Sequence, residues 1–384
     1  MCRSCFDNTG HIMKKNEILK IYGTDYVEMT KKLLCGADLV GHIPSKNLTI
    51  GIKPNLVCPT PAEFGATTHP EVVAGIIEYL KENGFENIMM LEGSWVGDKT
   101  ADAYEFCGYR ELSEKYGVPF TDTQKDKSHP VQCDGMELNI CDVVDKVDFL
   151  INVPVLKGHG QTKVTCALKN MKGLIPNTEK RKFHTMGLHR PIAHLSRGIH
   201  QDFIVVDHIC GDLDFEEGGN PVVRNCIMAA LDPVLVDSYA CKIAGYEIPE
   251  VPYIGMAREL GSGSTDIENA IIRTVKLHED DSCDFAAGEL PREHKILKIS
   301  YAVDEVDSCS ACYANLAPAL VRLEEEGLLP KLKERISIGQ GHQGKGGAIG
   351  IGKCTREHDF CIMGCPPHEE KIYEELKAYI LRQQ

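Results

Sequence analysis

Five cysteines near the C-terminus are the residues of this 384-residue chain best placed to do chemistry. Cys309 and Cys312 form a C-x-x-C pair, and Cys354, Cys361 and Cys365 follow in GKCTREHDFCIMGCPP. A C-x-x-C pair suits chelation because its short reach points both sulfurs at one metal. A [4Fe–4S] cluster and a structural zinc ion each need four ligands. Those expected here are Cys309, Cys312, Cys354 and Cys365, with Cys361 the alternative ligand. The neighbouring glycines in GQGHQGKGG and GIGKC bring backbone N–H groups toward sulfur, which stabilises added negative charge. An iron–sulfur cluster is therefore the first expectation and zinc the alternative, although a tight turn between two strands would need the same glycines. Cys2 and Cys5 repeat the C-x-x-C spacing without a second pair nearby and are expected to be unligated. Most other cysteines, among them Cys166, Cys226 and Cys241, lie in apolar runs and read as small buried hydrophobes.

A second group of chemically capable residues lies in LKGHGQTKVTCALKNMKGLIP and KRKFHTMGLHR. In an otherwise acidic chain this window concentrates Lys157, Lys163, Lys169, Lys172, Lys180, Arg181 and Lys182 with His159, His184 and His189. Read as a helix from Thr162 to Met171, it places Thr162, Thr165, Lys169 and Lys172 close to one face. Cations beside a helix N-terminus make an anion site suited to carboxylate or phosphate; a solvated amphipathic helix is the competing reading. Lys157, His159, Lys169 and His184 are the candidates for holding or protonating a substrate. Lys and His in a partly dry pocket are readily tuned toward neutrality. Lys53, Asn55, Glu92, Ser94, Lys163, Thr165, Asn170 and Asp207 are the expected substrate contacts. Asp207, Asp212, Asp232 and Asp237 could orient the cations or bind a divalent ion, and Asp232-Pro233 reads equally as a helix start.

These residues have to be positioned by an α/β framework. Leu48 to Ile52 reads as a strand, followed by the helix HPEVVAGIIEYLKENG and a second strand in FENIMMLEGS. Further strands are expected at Val147 to Leu156 and Phe203 to Ile209, and a helix at Pro233 to Ala244. Polar residues gather just after these strands: Lys53 and Asn55, Glu92 and Ser94, Lys157 and His159, Asp207. Carboxyl ends of parallel strands are where ligands sit in such sheets. Residues 1–45 read as a helical arm, 46–294 as the α/β core with a mostly parallel sheet, and 295–384 as a smaller C-terminal α/β cluster-binding unit. The polar stretch near 260–295 reads as a linker or excursion.

Composition narrows the function classes. The formal net charge is -14, with 43% apolar and 26% charged residues, which disfavours broad nucleic-acid binding because phosphates call for a basic face. No apolar run is long enough to span a membrane, and the N-terminus lacks an export signal, so a cytoplasmic protein is expected. Seventeen cysteines, an odd number in a reducing compartment, do not suit a disulfide framework. No Walker loop, nucleophile elbow or dinucleotide fingerprint appears in a fitting context.

The chain resembles a bacterial and archaeal family known as domain of unknown function 362. The resemblance rests on IKPNLV, INVPVLKGHGQTKVTCALKNMKGLIP, VVDHICGD with ALDPVLVD, and CSAC…GIGKCT…GCPP, in that order over roughly residues 46–384. It implies an iron–sulfur cluster-binding protein, without an established reaction; unlike some members, this sequence has no adjacent four-cysteine ferredoxin run. The expectation is a cytosolic iron–sulfur oxidoreductase of anaerobic metabolism acting on a small carboxylate or phosphate, with a redox partner protein supplying electrons. A non-enzymatic electron-transfer module and a zinc-stabilised ligand-binding protein are the alternatives.

Overall fold

The computed structural model describes residues 12–277, 295–308 and 310–383. Cys2, Cys5 and Cys309 lie outside the described residues. The strands, in chain order, are β1 (Glu17–Tyr22), β2 (Ile50–Pro54), β3 (Ile88–Glu92), β4 (Phe120–Asp122), β5 (Ser128–Gln132), β6 (Glu137–Cys141), β7 (Phe149–Val153) and β8 (Lys157–His159). They continue with β9 (Lys163–Thr165), β10 (Phe203–His208), β11 (Cys226–Ala230), β12 (Ile271–Val275), β13 (Val303–Glu305), β14 (Ile336–Ile338), β15 (Ile349–Ile351) and β16 (Phe360–Ile362).

Eight strands form the main sheet in the order β12-β1-β11-β10-β7-β2-β3-β4. All neighbours pair in parallel except at β11, which runs against both β1 and β10. The central strands are continuous apolar runs because both faces are covered. Along β10, Phe203 and Val205 enter one core while Ile204 and Val206 enter the other, all fully buried. Each such side chain contributes roughly 1.5–3 kcal/mol over its exposed state. The helices Tyr26–Gly36 and Pro70–Glu82 cover the first face, and His189–Gly198, Pro233–Ile243 and Pro252–Glu259 cover the second. The architecture is α/β, with a mainly parallel mixed sheet.

Three expectations are corrected here. The N-terminal residues are not a separate helical arm: Glu17–Tyr22 is a strand inside the sheet, buried between β11 and β12, and the helix begins only at Tyr26. Period-2 burial of Ile18, Leu19 and Ile21 by both faces overrides the helical spacing of the following segment. The polar excursion near 260–295 contains β12, an edge strand on β1, while 278–294 lie outside the described residues. The expected helix from Thr162 to Met171 is instead the hairpin β8–β9 and then a short helix, Ala167–Asn170. Lys163 takes a positive φ of 61° in that hairpin, and His159 Nδ1 accepts from the N–H groups of Gln161 and Thr162, both at 3.0 Å, which closes the turn.

The C-terminal residues build a second sheet of four consecutive parallel strands, β13-β14-β15-β16. The helices Ser310–Glu325 and Glu369–Arg382 pack with it around their own apolar core. In register, Glu305, Ile338, Ile351 and Ile362 line up at its carboxyl end. Among the described residues no helix is long and apolar enough to cross a membrane.

Candidate functional site

The parallel strands deliver their polar ends to one place. Lys53, the fourth residue of β2, is fully buried and donates to Pro54 O at 2.8 Å and to the carboxylate of Glu92 at the end of β3. Glu92 also accepts from Gly93 N at 2.7 Å. The turn Met171–Leu174 lies directly over this pair: a Cβ on Gly173 would stand 2.0 Å from Glu92 Oε1 and 2.7 Å from Lys53 Nζ. Lys180, from the helix Asn177–Thr185, donates to the carbonyls of Gly93 at 2.8 Å and Ser94 at 2.7 Å. Ser94 Oγ is spent on Leu56 O at 2.6 Å.

A cavity of about 60 Å³ opens above these residues, walled by Asn55, Glu92, Ser94, Thr165, Lys169, Asn170, Lys172, Lys180, His184 and Glu216. At roughly 10–15 Å³ for each water-sized sphere, it takes a group of about four or five heavy atoms. Lys169 and Asn170 enter from the short helix Ala167–Asn170, whose first amides are capped by the buried Asp237. That carboxylate holds Ala167 N at 2.6 Å and Leu168 N at 3.2 Å, so it orients the helix rather than a metal. Asn170 bonds to Asn55 at 2.9 Å and Asn152 at 2.7 Å, which fixes its amide. Thr165 is buried and its Oγ1 has no hydrogen-bond partner.

Glu216 completes the wall. Its carboxylate pairs with the ammonium of Lys169 and with His159 Nε2 at 2.9 Å. Because His159 Nδ1 accepts two backbone N–H groups, Nε2 carries the proton and donates to Glu216. Burial lowers the His159 pKa to about 4, so the ring is neutral at pH 7. Burial opposes ionisation of Glu216, yet His159 and Lys169 hold its carboxyl well below the ordinary value.

The electrostatic balance is cationic. Lys53, Lys157, Lys169, Lys172 and Lys180 surround the cavity or its back wall, against the carboxylates Glu92 and Glu216. Burial and the neighbouring Lys169 bring Lys172 down to about 7. Burial likewise brings Lys157 and Lys180 to about 8 and, with Lys172, takes His184 to about 3. Burial is the larger cause in each case, and a neighbouring cation adds to it.

Of the residues expected from sequence, Asn55, Glu92, Ser94, Thr165, Lys169, Asn170 and His184 line this cavity, with Lys53 beneath it. Lys157 stands behind, donating to Ala66 O at 2.5 Å, Glu216 O at 2.8 Å and Asn55 Oδ1 at 3.3 Å. Two expected contacts are not brought in. Lys163 turns outward to Glu250 at 2.8 Å. Asp207 is committed to His69, accepting from its backbone N–H at 2.8 Å and sitting 2.7 Å from its Nδ1. Burial works against the His69 charge, but Asp207 raises its pKa to about 10. Asp212 accepts three backbone N–H groups of the loop that carries Glu216, and Asp232 caps the helix Pro233–Ile243. Lys172 stands on the face that helical spacing picks out, Lys180 is marked only by its place in the basic window, and Glu216 gives no sequence signal beyond its charge.

The cysteines gather at the carboxyl rim of the small sheet. Cys354 and Cys365 each follow by three residues the paired Ile351 and Ile362. Gly352, at φ 86°, lies beside the start of the helix Ser310–Glu325: a Cβ there would lie 3.5 Å from Cys312 Sγ and 3.5 Å from Gly364 O. Cys361 Sγ donates to Gly352 O at 3.5 Å, and Cys354 Sγ accepts from Gln343 Nε2 at 3.5 Å. Cys312 is buried, Cys354 and Cys361 are half-buried, and Cys365 is exposed. Among the described residues no three His, Cys, Asp or Glu side chains already stand close enough to hold one ion. Cys312 and Cys361 thus approach one glycine, while Cys354 and Cys365 stand on the turns that follow β15 and β16.

A sequence profile of the family described as domain of unknown function (DUF362) matches residues 50–242, half of the chain. A thylakoid-associated protein of Synechocystis sp. (strain ATCC 27184 / PCC 6803 / Kazusa), sll1697, is 23% identical over 233 residues, covering 56% of this chain and 69% of its own. The lactate racemase apoprotein of Thermoanaerobacterium thermosaccharolyticum aligns in structure over 63% of this chain at 13% identity and a TM-score of 0.40. The aligned part is 60% of the racemase chain, less than two thirds of it.

Proposed function

The chain belongs to the DUF362 family, and from that premise we propose that it is a cytoplasmic iron–sulfur oxidoreductase acting on a small anionic substrate, a carboxylate or phosphate. The observation that carries this reading is the surplus of buried lysines over carboxylates around one small cavity at the carboxyl ends of β2 and β3. A buried ammonium without a partner is costly, and an arriving anion removes that cost. Lys169, Lys172 and Lys180 would hold the anion, with the Thr165 hydroxyl as a further donor. Lys172, with a pKa of about 7, is the group that can give or take a proton at Nζ near neutral pH. His159, fixed as its Nε2–H form, orients Glu216.

Cys309, Cys312, Cys354 and Cys365 would hold a [4Fe–4S] cluster, with Cys361 as the alternative. When bound, the cluster supplies one-electron transfer. Anaerobic purification with iron, sulfide and zinc analysis, and a visible spectrum before and after dithionite, tests the redox half. About four irons and four sulfides per chain with a bleachable brown band are expected. One zinc, no sulfide and a colourless protein would replace it with a zinc-stabilised binding protein. Calorimetric titration with sulfate and acetate tests the anion half, and no binding of either would remove it.

A further inference from the structure

A second, larger cavity of about 310 Å³ lies beyond Glu216. One wall is the loop Asp214–Asn220 with His159 and Gly160; the other is the helix Ser310–Glu325, through Tyr313, Asn315 and Pro318. Tyr313 lies against the β8–β9 turn so closely that a Cβ on Gly160 would stand 2.4 Å from its ring. Glu216 lines both cavities and is the partition between them. Its carboxylate rests on Lys169 and His159, where an incoming anion would have to bind. The smaller cavity alone has room for an anionic group and little else.

We propose that Glu216 is an internal stand-in for the substrate's anionic end, and that the two cavities form one composite site for an organic anion. The charged end displaces the Glu216 carboxylate from Lys169 and His159, and the organic body occupies the larger cavity against Phe215, Tyr313 and Pro318. This rests on the anion-binding reading above and adds the substrate class to it. Apolar cavities of ~150 Å³ take a benzene ring, so the larger cavity admits a body of ring size or more. The departing carboxylate turns into the larger cavity, whose walls carry Lys295 and also the acidic Asp214, Glu217 and Glu369. Glu216 thereby sets specificity. Every anion meets the same displacement cost, and one with a body offsets more of it through contact in the larger cavity, so it binds tighter than a bare anion.

The two halves separate experimentally in the full chain at one fixed pH, with inorganic phosphate and phenyl phosphate as probes in calorimetric titrations. Glu216→Gln removes the competing charge and keeps the shape, so it tightens both probes by the same factor, roughly tenfold. Asn315→Trp fills the larger cavity without removing a core side chain. It abolishes the advantage of phenyl phosphate over phosphate and leaves phosphate unchanged. Because either variant could perturb folding, each is accompanied by its thermal midpoint with and without phosphate. In Glu216→Gln the midpoint falls without the probe and rises further with it than in the parent protein. Weaker or unchanged phosphate binding in Glu216→Gln overturns the stand-in role. Phenyl phosphate that binds no tighter than phosphate, or that is indifferent to Asn315→Trp, overturns the composite site. If neither probe binds any of the proteins, the anion-binding reading itself fails.

Discussion

Lys172 states the electrostatic problem of the site in one residue: it lines the cavity, its near neighbours include Lys169 and Lys180, and its pKa falls from the ordinary 10.5 to about 7. Lys157 and Lys180 fall to about 8. For all three the folded value lies below the unfolded one, so the unfolded chain binds more protons between about pH 7 and 10.5. The ligand-free protein should therefore gain stability as pH rises through that window, and lose it as pH falls toward 7. Anion binding has the opposite sign, since a neutral amine attracts no anion. With sulfate, which does not titrate there, affinity should fall as pH climbs past 7 to 8 while the ligand-free thermal midpoint climbs. A sulfate affinity flat from pH 6.5 to 9 would show that these lysines do not hold the ion. Lys172→Met separates the effects at one position: sulfate affinity drops roughly tenfold, yet the ligand-free protein becomes more stable, because a half-buried charge crowded by Lys169 and Lys180 has been replaced by an apolar chain. Sequence spacing reached Lys169 and His184 but preferred Lys163 to Lys172 and Lys180. Helical spacing puts Lys172 on the same face as Lys169, but the segment is a hairpin, and Lys163, at a positive φ within it, pairs with Glu250. Glu216 stands in FEEGGN, a loop without periodicity, placed only by three backbone bonds to Asp212 and by partners far along the chain.

At the level of elements, the turn Met171–Leu174 must come down onto the ends of β2 and β3 for the lysines to converge, and Gly173 is what allows it. Its φ is ordinary, so any cost of Gly173→Ala is steric: the new methyl would meet the Lys53–Glu92 pair, buried to 0% and 3% exposure. Separating a buried pair costs ~3–5 kcal/mol, so a large drop in the urea midpoint and loss of sulfate binding are expected. Gly187 is the converse case, with φ 75° and nothing within 4 Å of a Cβ. Gly187→Ala should cost only the left-handed backbone term, ~1–2 kcal/mol, and leave sulfate binding intact. Equal costs for the two variants would show that the turn does not press on the pair. The framework around this turn was legible in sequence where local pattern and tertiary demand agree. Pro70 and Asn83 bound a helix whose buried face includes Val73, Ile76, Ile77 and Leu80, and Asp232-Pro233 opens another by capping. The pattern misled where the decisive contacts are distant. Glu17–Tyr22 becomes a strand only because β11 and β12 flank it, and Ala167–Asn170 starts where Asp237, seventy residues away, caps it.

Across the whole molecule, the helix Ser310–Glu325 joins the two chemistries: Cys312 lies against Gly352 at the cysteine rim, and the adjacent Tyr313 walls the larger cavity over Gly160. Gln340, from the turn after β14, also reaches the other unit, donating to His184 O at 3.4 Å. If the cluster is held by these cysteines and the organic anion binds as proposed, the two sites are electrostatically linked, and linkage is reciprocal. An electron added to the cluster places negative charge beside a bound anion, so the reduced protein should bind phenyl phosphate more weakly. The same free energy must then appear as a lower midpoint potential in its presence, about 59 mV for each tenfold difference in affinity in a one-electron couple. Potentiometric titration of the cluster with and without saturating phenyl phosphate measures one side, and calorimetry of the oxidised and dithionite-reduced protein measures the other. A downward shift matching the affinity ratio places the cluster within electrostatic reach of the cavity. A potential indifferent to phenyl phosphate, in a protein that binds it, would separate the cluster from the site and leave the C-terminal unit a structural wall of the cavity.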